Sequence, residues 1–111
     1  MNDILKNLSG IERDALLSSI KELKYEVFLF GSRVQRKGGD IDVLIFAPDL
    51  SEPERFNLSV RITADFEKIC DEKIDVIVMD PNNLSQENKA FLKLIKKVII
   101  RPAKHFYGER K

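Results

Sequence analysis

The 111-residue sequence contains no tryptophan, a single cysteine, Cys70, and a single histidine, His105. A lone cysteine excludes an internal disulfide, and one cysteine with one histidine leaves too few soft ligands for a structural zinc site. No sign of charge predominates. Nineteen lysines and arginines face 18 aspartates and glutamates, for a net charge of +1, which removes any overall electrostatic case for nucleic-acid or membrane binding. No apolar run approaches the roughly 20 residues needed to cross a bilayer. The opening stretch, from Met1 to Lys6, leads into polar sequence rather than the apolar core of a secretory signal. These absences predict a cytoplasmic protein without a membrane span and confine any anion preference to a local feature. Cys70 is expected as a small packing residue, and His105 as exposed.

What is there has the composition of an ordinary small globular domain, 43% hydrophobic and 33% charged. Ser9 and Glu12 have the spacing of a capping box, and Leu16, Ile20 and Leu23 follow at helical intervals, which predicts a helix over about 10–24. Tyr25 to Phe30 reads as a strand, and a loop with Arg33, Arg36, Lys37, Gly38 and Gly39 leads to a second strand from Asp40 to Phe46. Ser51 and Glu54 repeat the capping-box spacing with Pro53 in the first turn, and Leu58, Ile62, Phe66 and Ile69 form the expected buried stripe of a second helix. A third strand is predicted over Ile74 to Met79. A turn at Asp80 to Asn83 follows, then a third helix carrying Phe91, Ile95 and Val98 and running to about Lys97, with Val98 to Arg101 as a short last strand. Residues 1–101 are expected as one domain and 102–111 as a basic tail. Near-continuous apolar strands alternating with helices argue for a sheet covered by helices, in the α+β or α/β class.

Two aspartates interrupt this pattern. Asp40 and Asp42 are one residue apart in a strand, so they project to one side with about 7 Å between their Cα atoms. If the third strand lies beside the second, Asp75 brings a third carboxylate. Two unit charges 4 Å apart repel by roughly 1 kcal/mol in water and about 4 kcal/mol at a protein-like dielectric, so such a gathering calls for a counter-charge. All-oxygen ligation selects hard cations, and magnesium is commonly held by a few carboxylates and completed by substrate phosphates. Gly31 permits close backbone approach to a ligand, Ser32 offers a hydroxyl and an amide, and Arg33, Arg36 and Lys37 make the intervening loop cationic. Each feature alone has an ordinary explanation: a polar strand end, a tight turn, a solvated loop. Their combination points to phosphate chemistry.

The order Gly31-Ser32, short loop, Asp40-Ile41-Asp42-Val43 and a later Asp75 on a strand resembles the signature of the polymerase-β-type nucleotidyltransferase superfamily, and most of all its minimal nucleotidyltransferases, or MNT proteins. The likeness covers essentially the whole chain, although the seven residues between Ser32 and Asp40 are fewer than in many relatives. The resemblance implies an α/β sandwich with a small mixed sheet flanked by helices. It implies that Asp40, Asp42 and Asp75 bind magnesium, with two ions expected, and that Asp75 helps activate the acceptor hydroxyl. Gly31 and Ser32 would hold the phosphates of ATP, with Arg33 as a further phosphate contact. MNT proteins are frequently partnered with small helical HEPN proteins, so the activity that the resemblance implies is transfer of AMP from ATP to a protein hydroxyl, a tyrosine of a HEPN toxin, by an antitoxin. Two rival readings are a non-catalytic antitoxin that acts by binding and an enzyme that modifies a small molecule. Direct nucleic-acid binding is not expected, and the sequence leaves room for a homo-oligomer.

Overall fold

A computed structural model describes residues 5 to 103. The expected tail lies outside the described residues from position 104 onward. The elements in chain order are α1 (Gly10–Ile20), β1 (Glu26–Phe30), the single turn α2 (Ser32–Gln35), β2 (Ile41–Phe46), α3 (Glu52–Glu67), β3 (Ile74–Met79), α4 (Gln86–Leu94) and β4 (Lys97–Arg101). Both predicted capping boxes form. Ser9 and Ser51 each accept from the backbone N–H of the glutamate three residues on, and each glutamate accepts from the serine N–H at 2.8 Å.

The strands form one mixed sheet in the order β3-β2-β1-β4, with β2 and β3 parallel and the other neighbours antiparallel. A parallel pair needs a crossover connection, and α3 supplies it. Alternation along the strands sends Val27, Leu29, Ile41, Val43, Ile45 and Ile74 to one face, where they pack with Leu16 and Ile20 of α1 and Ile62 and Phe66 of α3. The other face carries Phe28, Phe30, Leu44, Phe46 and Ile77 against Phe91, Leu92 and Ile95 at α4. Apolar residues on both faces explain the near-continuous hydrophobic strands. Burial of each of the large core side chains stabilises by about 1.5–3 kcal/mol. This is the α+β arrangement of helices on a mixed sheet that the sequence implied.

Three boundaries differ from expectation. α1 ends at Ile20 rather than near 24: Leu23 turns inward to the core, its N–H donates to Ile20, and the Arg101 guanidinium donates to the carbonyls of Ile20 and Lys21. α4 stops at Leu94 rather than about Lys97, because Ile95 turns extended at φ −86 and ψ 150 and the chain from Lys97 pairs with β1. On α3, Ile69 is exposed and Cys70 takes its place in the core, in keeping with a packing role for that thiol. Among the described residues no helix is long and apolar enough to cross a membrane.

Candidate active site

Phe30 ends β1 and Gly31 reverses the chain. Gly31 has φ +78 and ψ −153, a region that is essentially glycine-only. A Cβ placed there would stand 2.2 Å from Asp42 Oδ2, so the Asp42 carboxylate lies directly against the Gly31 backbone. Ser32 opens α2, and its hydroxyl packs under Gly39, where a Cβ would come within 2.8 Å of Oγ. The loop therefore folds back over the turn, and two glycines permit the closeness.

The register brings the acids to the same end of the sheet. Asp42 of β2 pairs with Phe30 of β1 on one side and with Asp75 of β3 on the other, so Asp42 and Asp75 are side-by-side on the α4 face. Asp40 stands just before β2, exposed, with its Oδ2 3.9 Å from Lys73 Nζ. Burial raises the Asp42 carboxyl above its ordinary value, the charges of Asp75 and Asp40 add to that rise, and Lys73 opposes it. The field at Asp42 is thus that of an under-neutralised acid.

As the side chains are placed, no three His, Cys, Asp or Glu among the described residues stand close enough together to hold a metal ion. Asp42 and Asp75 are strand neighbours, while Asp40 faces Lys73. The donor set nonetheless suits a hard divalent cation: carboxylate oxygens only, one of them half-buried and short of positive charge, beside a turn with no Cβ to obstruct a ligand.

Arg33 requires a correction. Expected as a phosphate contact, it is buried at 3% exposure and points away from solvent into the fold. Its guanidinium donates to both Glu12 carboxylate oxygens at 2.7 and 3.0 Å, to Asn7 O at 3.1 Å and to Gly39 O at 3.0 Å. The pairing holds Glu12 below the usual carboxylate range and raises Arg33. Arg33 is therefore a strut that ties α1 and the loop to α2. Arg36 and Lys37 stay exposed, and Arg36 Nη1 lies 3.9 Å from the Cβ position of Gly39, on the loop that covers Ser32. Lys73 was missed by the sequence reading. It stands just before β3 as Asp40 stands just before β2, and the pairing of Ile41 with Ile74 brings the two together, a contact that no local spacing signals. A cleft of about 520 Å³ between the α1–β1 turn and α3, lined by residues such as Tyr25, Leu58 and Arg61, contains none of these acids.

The sequence profile described as "Polymerase beta, Nucleotidyltransferase" matches residues 16–101, a span that holds Gly31, Ser32 and all three aspartates. The chain belongs to the polymerase β nucleotidyltransferase family. Among solved structures, the chain is similar to a crystal structure of the toxin–antitoxin MntA–HpeT carrying a tyrosine-to-alanine mutation. That likeness has 16% identity and a TM-score of 0.48, covering 88% of this chain and 76% of that chain, and is too distant to carry an assignment. No curated protein matches the sequence.

Proposed function

We propose that this nucleotidyltransferase moves AMP from ATP to a hydroxyl of a protein acceptor and acts as the antitoxin of a toxin–antitoxin pair. One observation carries the transfer reading: the Asp42 carboxylate lies against the side-chain-free Gly31 turn, with Asp75 in register beside it. The antitoxin role and a HEPN-type acceptor rest on the sequence resemblance to MNT proteins.

In this reading Asp42 and Asp75 would hold magnesium, and Asp40 would join them by leaving Lys73, a pair whose two side chains are 53% and 69% exposed and therefore weakly held. The bound ion supplies neutralisation of the triphosphate charge. Gly31 and Ser32 present backbone and hydroxyl to the phosphates. Arg36 takes the cationic role that Arg33 cannot fill. The acceptor oxygen bonds to the α-phosphorus, the bond to the departing pyrophosphate breaks, and the hydroxyl proton passes to the exposed Asp75 carboxylate.

The test is intact-mass measurement of the protein encoded beside this chain after incubation with the chain, ATP and magnesium. A gain of AMP that disappears with Asp42→Asn is expected. No gain, or a gain that survives Asp42→Asn, refutes the proposal. One observation favours a second reading, silencing of the partner by binding alone: the three carboxylates do not stand within joint ligating reach. In that case neutralisation persists in Asp42→Asn while no mass is added.

A further inference from the structure

The described part of the chain carries one concentrated positive surface that the transfer reading does not use. Between Asn88 and Arg101 lie five cations and no acid, in a chain of net charge +1. Arg101 is committed to the C-terminus of α1. Lys93, Lys96 and Lys97 cluster at the corner where α4 gives way to β4, and among the described residues none of these ammoniums is paired with a carboxylate. Lys93 suits the last turn of a helix, where carbonyl dipoles favour a cation. That explanation does not reach Lys96 and Lys97, which lie beyond the helix.

The corner sits at the acid end of the sheet. Lys97 pairs with Phe30, Phe30 with Asp42, and Asp42 with Asp75, one continuous row across four strands. At about 4.8 Å per strand, Lys97 is roughly 10 Å from Asp42, the reach of a docked side chain rather than of a separate site. Apolar surface interleaves the charge: Leu94 is 84% and Ile99 41% exposed.

We infer that the α4–β4 corner is the docking surface for the acceptor and fits an acidic protein surface with an apolar spot. This rests on the acid end being the site of nucleotidyl transfer. Complementary charge brings an acidic partner in, and Leu94 gives it an apolar anchor beside the reacting groups. The chemistry favours protein over single-stranded nucleic acid, which needs free aromatic faces for base stacking. Here Lys97 sits over the Phe28 ring at 5.2 Å, and Phe91 is engaged edge-on with Phe30 at 5.5 Å, while the exposed apolar residues of the corner, Leu94 and Ile99, are aliphatic.

The test uses a fluorescently labelled random copolymer of glutamate and tyrosine as the acidic protein probe and labelled oligouridylate as the nucleic-acid probe, with binding read by anisotropy on the full chain. Lys93→Glu/Lys96→Glu is expected to weaken copolymer binding by roughly tenfold or more, and Leu94→Gln to weaken it by about threefold with no change in charge. All replaced side chains are solvent-exposed, and unchanged far-ultraviolet circular dichroism checks the fold. Magnesium–ATP binding is measured in parallel. Asp42→Asn is expected to lose it while keeping the copolymer, which separates failure of this inference from failure of the transfer reading. Equal copolymer binding by the double variant, no effect of Leu94→Gln, or tighter binding of oligouridylate with loss in the double variant would each overturn the proposal.

Discussion

Arg33→Met distinguishes a strut from a phosphate ligand. In the structure this change leaves the Glu12 carboxylate, only 6% exposed, without its bidentate partner and removes the donors to Asn7 O and Gly39 O. Breaking a buried pair from one side costs about 3–5 kcal/mol, because the surviving charge is stranded. Against a total stability of about 5–15 kcal/mol for a small domain, that brings the variant close to unfolding. Replacing both partners, Glu12→Leu/Arg33→Met, removes the stranded charge. The double variant should recover part of the loss and stay about 3 kcal/mol below the parent, because the carbonyls of Asn7 and Gly39 and the capping-box N–H of Ser9 lose their partners at roughly 1 kcal/mol each. Urea unfolding followed by circular dichroism measures both, with a shifted midpoint and an unchanged slope. The pH dependence has a definite sign. Glu12 has a lowered folded-state value, so its contribution is fully present above the ordinary 4.5 and is lost as pH falls below it. The reasoning fails if Arg33→Met costs less than about 1 kcal/mol while abolishing ATP binding.

Gly31→Ala should lower stability by about 1–3 kcal/mol from its backbone conformation alone, and displacement of Asp42 should abolish magnesium–ATP binding; a melt and calorimetry check both. Without metal, Asp42→Asn should stabilise the fold at pH 7 by about 1 kcal/mol after allowance for solvent screening. The raised carboxyl favours the proton in the folded state, so this gain should be absent below the ordinary value of 3.8 and grow as pH rises through the higher folded value. A variant less stable than the parent at pH 7 contradicts the field described at Asp42. Arg36→Gln should weaken ATP binding about tenfold with little change in stability, as expected for an exposed cation that meets phosphate.

Much of this architecture was legible because it is written in local spacing. The two serine–glutamate capping boxes mark where α1 and α3 begin, whereas period-two spacing predicts Asp40 and Asp42 on one side of a strand, and Asp40 instead stands just before β2, beside Lys73. Asp75 required only that β3 lie beside β2, and the parallel register delivers that. What stayed hidden depends on distant partners. The fate of Arg33 is set by Glu12, 21 residues away, and by glycines that fold the loop over Ser32. Nothing in the loop itself separates the buried Arg33 from the exposed Arg36. The end of α4 was misplaced because Phe91, Ile95 and Val98 satisfy a helical period, while the β-branched run that follows suits a strand equally well. The open backbone of β1 decided between them.

The central claim is that the acid end of the sheet binds a divalent cation together with ATP. Paramagnetic broadening of backbone amides by manganese, in the presence of a non-hydrolysable ATP analogue, tests it most directly. The account predicts selective loss of signals from Gly31, Ser32, Asp42 and Asp75 and their neighbours, restored in Asp42→Asn. Broadening centred elsewhere, or the same broadening in Asp42→Asn, would contradict it.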